Sequence, residues 1–197
     1  MKKLSIATII AGAMIFSACN GNTNSSGTAD STSTMSNADT SMNKMNATDT
    51  SKATVDQNAV NFAKDAATGG MMEVQLGKIA QDKAASKAVK DFGKMIVEDH
   101  TSLNNELKDI ASKKNIDLPT SVTTDQQQTI DKLNKETGSK FDKDYISTMV
   151  EDHKTDIGNF KKAADNISDA DLKDFITKAL PTLQKHLDKA EEIKKKM

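Results

Sequence analysis

Apolar side chains recur every three or four residues along most of the chain beyond residue 54. This spacing places them on one face of an α-helix and predicts four long helices and a shorter one. The predicted helices cover about 55–82, 87 to beyond 110, 124–136, 140–166 and 169 to near the C-terminus. No stretch alternates like a β-strand. We therefore expect an all-α domain at 55–197, a four-helix bundle of two helical hairpins with a short extra helix in the central crossover.

Capping residues support these helix starts. Two pairs have the spacing of a capping box, in which two side chains satisfy free N–H groups in the first turn: Thr54 with Gln57, and Thr124 with Gln127. The last long helix is expected to begin after Ser168, which has a side chain suited to the N-cap position.

Glycine and proline mark special backbone positions. Gly138 is expected to end the short helix, and Pro181 to kink the last one. An interior glycine destabilises a helix by about 0.5–1 kcal/mol relative to alanine, so the pair at 69–70 indicates close helix packing or a bend. Gly93 and Gly158 are expected to allow close packing on their own helices.

Each of the four long helices carries one ionisable side chain where an apolar residue would continue the buried face: Glu73, His100, His153 and His186. A lone buried polar group destabilises the fold by about 1–3 kcal/mol. We therefore expect the four side chains to meet in the bundle interior. They would form either a hydrogen-bonded polar core or the ligands of one metal ion.

The ligand types restrict which metal such a site could hold. Di-iron bundles use a Glu-x-x-His motif on two helices. Here the residues three positions before the histidines are Val97, Val150 and Leu183, so the motif is missing. Three imidazoles and one carboxylate suit a single Zn²⁺ or Cu²⁺ better than two irons.

The heights of the four residues along antiparallel helices do not match perfectly. His100 is expected about three residues from the level of Glu73, and His186 about five residues from the level of His153. A tight metal site would therefore need leaning side chains, a stagger between the hairpins or a kink at Pro181.

Two of the histidines lie in a repeated motif. Val-Glu-Asp-His occurs at 97–100 and again at 150–153, 53 residues later. Two copies of one helical hairpin would place equivalent ligands by pseudo-symmetry. Asp99 and Asp152 lie about 100° around their helices from the neighbouring histidines. They are candidate hydrogen-bond acceptors behind the ligands, or solvated neighbours.

The N-terminal segment resembles a bacterial lipoprotein signal. Two lysines precede an apolar run over 4–16, which is too short for an ordinary spanning helix of roughly 20 residues. Two small residues then precede Cys19, which is the chain's one cysteine. We expect removal of 1–18, lipidation of Cys19 and anchoring in the cell envelope, at the outer membrane facing the periplasm. The segment 19–54 is rich in Ser, Thr and Asn and is expected to be a disordered tether.

The charge pattern argues against nucleic acid as a partner. The chain has no arginine, and without the predicted signal 25 lysines oppose 28 acidic residues, a balance of −3. Nucleic-acid recognition relies on a basic field and guanidinium groups, and this chain has neither. No nucleophile, glycine-rich phosphate loop or acid pair stands out, so the pattern favours a non-catalytic domain without excluding an enzyme. The sequence identifies no protein partner.

Five segments carry a family resemblance: GMMEVQLG at 70–77, MIVEDH at 95–100, FDKDY at 141–145, VEDH at 150–153 and LPTLQKHL at 180–187. In this order they resemble the bacterial family called domain of unknown function 4142, over about 56–194. The resemblance implies a ferritin-like four-helix domain in exported or envelope-attached proteins, with no established activity.

Two functional interpretations follow. The leading one is an envelope lipoprotein whose non-catalytic bundle has an interaction or stress-related role. The alternative is a metal-binding or redox-protective bundle, which would hold Zn, Cu or Fe and needs one transition-metal ion as its cofactor.

Overall fold

A computed structural model describes residues 56–197. The predicted signal, the lipidation site at Cys19 and the tether lie outside these residues. The described residues form five helices: α1 (Gln57–Lys83), α2 (Lys87–Lys114), α3 (Thr124–Asn134), α4 (Gly138–Asn166) and α5 (Ala170–Lys195). No strand occurs among them, which confirms the all-α class. None of these five helices combines the length and the apolar character needed to cross a membrane.

The helices pack as two hairpins. α1 lies against α2, and α4 lies against α5. The hairpins join through contacts of α1 with α4 and of α2 with α5, while α3 packs mainly on α1 in the crossover. The predicted four-helix bundle with a short extra helix is therefore confirmed.

Two helix starts differ from the prediction. Thr54 lies outside the described residues, and the observed cap of α1 is Asp56, whose carboxylate accepts from the backbone N–H three residues later at 3.0 Å. A capping box does begin α3, but it consists of Thr123 and Gln126. The pair predicted one residue further on is wrong, because both pairs have the same Thr-x-x-Gln spacing.

The second half of the chain corrects two more expectations. Asp169, not Ser168, caps α5, because the helix begins at Ala170 and the Asp169 carboxylate accepts from the N–H three residues on at 3.0 Å. Gly138 does not end α3, which stops at Asn134; it begins α4 with a positive φ of 65°. α5 continues through Pro181 as one helix, and the kink expected there stays a prediction.

Glycines bring α1 and α2 close together. A Cβ atom at Gly93 would lie 2.8 Å from the carbonyl oxygen of Gly77, so a side chain there would strike backbone. The predicted role of Gly93 is correct, whereas Gly158 faces open space and its predicted role is wrong. At the middle of α1, a Cβ at Gly70 would overlap the side-chain amide of Asn104.

Two groups of aromatic rings divide the core into layers. One contains Phe62, Phe160 and Phe175, and the other contains Phe92, Phe141 and Tyr145. α4 runs from Tyr145 through His153 to Phe160, with about 11 Å of rise on each side of the histidine. The histidines therefore occupy a layer between the two aromatic groups, where they are shielded from solvent.

Candidate metal centre

The four residues predicted to face inward are all buried. Glu73 is 1% exposed, His100 is 2% exposed, and His153 and His186 are fully buried. They come from α1, α2, α4 and α5, one from each wall of the bundle. The structure brings all four together despite the predicted mismatch in height.

Glu73 lies between two of the histidines. One carboxylate oxygen, Oε2, is 2.8 Å from Nδ1 of His100, and the other, Oε1, is 3.4 Å from Nε2 of His153. Neither contact has the alignment of a hydrogen bond, and no described side chain donates one to the ionised carboxylate. The Glu73 oxygens therefore lie beside these two histidines without a hydrogen bond to either.

His153 and His186 face each other through one nitrogen and use the other as a donor. Nδ1 of His153 donates to the carbonyl of Met149 at 2.9 Å, and Nε2 of His186 donates to Asp99 Oδ2 at 2.9 Å. Carbonyl and carboxylate oxygens only accept, which assigns the tautomer of each neutral ring. The inward nitrogens, Nε2 of His153 and Nδ1 of His186, lie 3.2 Å apart.

Both inward nitrogens carry lone pairs when the rings are neutral. Burial lowers the pKa of each ring to about 4, against the attraction of Glu73 for His153 and of Asp99 for His186. Two lone pairs at 3.2 Å repel unless a proton on one of the rings or a metal ion lies between them, and burial disfavours the proton. A tetrahedral Zn²⁺ with Zn–N bonds of about 2.0–2.1 Å would hold two nitrogens about 3.3 Å apart.

The repeated Asp-His motif acts across the two hairpins. Asp99 on α2 contacts His186 on α5, and Asp152 on α4 lies beside Glu73 on α1. Each repeated aspartate thus reaches the inward-facing residue of the other hairpin. Neither is simply a solvated neighbour of the histidine that follows it in sequence.

Besides Asp99, three carboxyl groups with raised pKa values lie around the histidines. Burial raises the pKa of Glu73 to about 8 and that of Asp152 to about 9, and the charge of Glu73 adds to the rise at Asp152. The third carboxyl belongs to Asp156, whose pKa burial raises to about 6 while His100 opposes the rise. The sequence analysis missed Asp156, although its position one turn after His153 was a usable signal.

Two groups of ligand-type atoms result. His100, His153 and His186 each offer one ligand atom within 4.8 Å of the other two, and so do Glu73, Asp152 and His153. The groups share His153, whose outer nitrogen is already bonded to a carbonyl. They therefore describe one centre with a histidine side and a carboxylate side.

The chain belongs to the family described as Domain of unknown function (DUF4142), whose model matches residues 44–193. Its fold is similar to the crystal structure of a DUF305 fragment from Deinococcus radiodurans, with a TM-score of 0.65 and 7% sequence identity. That match covers 73% of this chain and 99% of the fragment, and at this identity it shows the fold alone. The comparison with curated proteins found no match.

Proposed function

We propose that this member of the DUF4142 family binds one transition-metal ion in the interior of its bundle. His153 and His186 would be the central ligands, and His100 and Glu73 would complete the coordination. Imidazole nitrogens with a carboxylate suit Zn²⁺ and Cu²⁺.

The observation that carries the proposal is the pair of inward nitrogens on His153 and His186, 3.2 Å apart with both outer nitrogens engaged as donors. Histidines that bind metals commonly donate their other N–H to a carbonyl or a carboxylate. Met149 provides the first acceptor and Asp99 the second. A metal ion between the inward nitrogens would use both lone pairs.

The charge of the centre supports the same proposal. Ionised carboxylates at Glu73, Asp152 and Asp156 would place like charges near one another in a low-dielectric interior, which is costly without compensation. In the metal-free protein at neutral pH, protons on Glu73 and Asp152 compensate, because burial raises both of their pKa values above 7. A divalent cation would compensate when it binds, and it would release protons as the ligands ionise.

Isothermal titration of the full-length chain with Zn²⁺ and Cu²⁺, each alone, tests the proposal. We expect one ion per chain at neutral pH and weak binding near pH 5, because the ligands must be deprotonated. His153→Ala and His186→Ala should each reduce the affinity by at least about 100-fold, more than the loss of an orienting partner.

Leu187→Ala is the matched control, because Leu187 is buried beside His186 on the same helix but carries no ligand atom. It should lower stability and leave affinity within about threefold, a change of less than 1 kcal/mol. Absence of binding by the unaltered chain would refute the proposal, as would equal losses in Leu187→Ala and the histidine variants.

We further propose that the domain acts at the cell envelope, held there by lipidated Cys19. The support is the sequence of the N-terminal segment, with its lysines, short apolar run and lone cysteine. The interaction or stress-related role favoured by the sequence stays a prediction. The buried cluster is the more specific observation, and it supports metal binding.

A further inference from the structure

An open groove lies between α1 and α4 near the candidate metal centre. Its volume is about 450 Å³. Oxygen-bearing side chains dominate its polar lining: Asn58, Asn61, Asp65, Asp156, Asn159 and Asn166. Carboxylate and amide oxygens are the groups that attract and loosely coordinate hydrated divalent cations.

A small internal cavity of about 20 Å³ adjoins the centre itself. Glu73, His100 and Asp156 supply its ionisable lining, and leucine and phenylalanine side chains supply most of the rest. Nε2 of His100 is buried and has no partner among the described residues. The cavity is large enough for one water-sized ligand, about 10–15 Å³ being the minimum.

The groove and the cavity share a wall. Ala66, Asp156 and Phe160 line both of them. On the α1 side, a Cβ at Gly69 would lie 3.8 Å from Asp156 Oδ2, so glycine places no side chain against Asp156 from that position. Asp156 is the one ionisable residue that faces both the groove and the interior.

We infer that metal ions reach the buried histidines through this groove and that Asp156 transfers them from the groove to the cavity. The inference rests on the proposed metal-binding function and adds the route to it. A larger side chain at position 69 would lie against Asp156 on this route, and Asp65 at the groove attracts the cation. A fully buried site requires such a path, because its ligands are sealed between two aromatic layers.

The opposite face of the bundle is less suited to cation passage. Asp99 is the carboxylate that contacts the centre from this face, with 32% of its side chain accessible, but it is occupied by His186 at 2.9 Å. Lys185 lies 3.5 Å from the same oxygen and would repel an approaching cation. The groove between α1 and α4 is lined by one lysine, Lys162, in addition to its six oxygen-bearing side chains.

Obstruction of the route should change rates without changing equilibrium affinity. In Gly69→Leu, the new side chain would lie against Asp156 and cover the shared wall. Stopped-flow mixing of the full-length chain with Co²⁺, followed by visible absorption, and release to a chelator would give both rates. We expect the association rate and the dissociation rate each to fall by at least about tenfold. The equilibrium dissociation constant should stay within about threefold, since it is the ratio of the two rates.

Gly158→Leu is the matched control, because it places the same side chain on α4 where nothing lies within 4 Å of the Cβ. Its rates should equal those of the unaltered chain. Unchanged rates in Gly69→Leu would overturn the route while leaving metal binding intact. A slower association with unchanged dissociation would also overturn it, because that result is a loss of affinity and indicates damage to the ligands.

A second variant avoids any change in packing. Asp65→Lys reverses an exposed charge at the groove, and Asp82→Lys makes the same change about 25 Å away on α1. The groove variant should slow Co²⁺ association by about threefold or more at low salt, and the distant control should not, since charges that far apart are screened. Equal rates for both variants would overturn the route. Failure of the unaltered chain to bind Co²⁺ or Zn²⁺ at equilibrium would instead refute the proposed function itself.

Discussion

Asp99 on α2 accepts a hydrogen bond from Nε2 of His186 on α5 at 2.9 Å, across the interface between the two hairpins. Partial burial favours the neutral carboxyl, but the hydrogen bond from His186 and the charge of Lys185 outweigh it and lower the pKa of Asp99. The carboxylate therefore stays ionised at neutral pH. It fixes the orientation of the His186 ring and increases the basicity of the inward nitrogen.

Asp99→Asn should weaken metal binding without removing a ligand. Asparagine can still accept from His186, but it lacks the charge that makes the imidazole a better ligand. We expect a 10- to 100-fold loss of Zn²⁺ affinity, of about the size found for such orienting partners. Titration calorimetry gives the affinity, and Glu98→Gln, an exposed neutralisation at the preceding residue, is the control. Equal affinities for the two variants would contradict a role for Asp99.

The metal-free protein should lose stability as the pH rises from 7 to 8. Burial raises the pKa of Glu73 to about 8 and that of Asp152 to about 9, so the folded state holds up to two protons that the unfolded state has lost. The histidines are mainly neutral in both states above pH 7, because burial lowers their pKa values. Stability falls with pH whenever the folded state binds more protons, by up to about 1.4 kcal/mol per pH unit for each group.

Urea unfolding in the presence of a chelator measures this slope. Glu73→Gln removes one of the two titrating groups and should flatten the decline, whereas Glu98→Gln on the surface should leave it unchanged. A stability that is constant or rises from pH 7 to 8 would show that these carboxyls are ionised in the folded protein.

His100 and His153 should behave non-additively, because each contacts one oxygen of Glu73. Loss of one histidine leaves Glu73 with the other, whereas loss of both leaves a buried carboxyl with neither. The double alanine variant should therefore deviate from the sum of the single variants by at least about 0.5 kcal/mol. Denaturant unfolding gives all three values. His100→Ala combined with Ile130→Ala on α3 is the additive control, and additivity in both pairs would contradict a shared site.

Much of the fold can be predicted from the periodic pattern of apolar residues. The errors of that prediction lie mainly at the helix ends. The stripes that contain Phe62, Phe92 and Phe175 identify the buried faces, because burial of a helix face requires the 3.6-residue period. Helix ends are decided by competition between adjacent polar residues, such as Thr123 against Thr124. Those neighbours differ in backbone geometry, which the sequence pattern does not reveal.

The sequence was sufficient to predict which residues form the site, but not which of them contact each other. Glu73 and the histidines interrupt apolar stripes, and that interruption is visible in the sequence. The pairing of Asp99 with His186 depends on how one hairpin sits on the other, which no local pattern specifies. Asp156 was missed because it lies at the edge of its stripe, where a charged residue usually faces solvent.

The N-terminal prediction can be tested separately from the bundle. If the mature chain begins at a lipidated Cys19, Cys19→Ala should move the protein from the membrane fraction to the soluble fraction, because the substitution removes the residue that would carry the lipid. Fractionation followed by immunoblotting measures the distribution, and Ser26→Ala in the same segment is the control. Unchanged membrane partitioning of Cys19→Ala would refute lipid anchoring at this residue.

The central claim concerns one ion held between His153 and His186, and anomalous diffraction at the zinc edge from crystals grown with Zn²⁺ tests it most directly. The account predicts one strong interior peak at about 2 Å from both Nε2 of His153 and Nδ1 of His186. A control crystal of His153→Ala should lack that peak. Peaks confined to surface carboxylates, with none in the histidine layer at saturating Zn²⁺, would contradict the account.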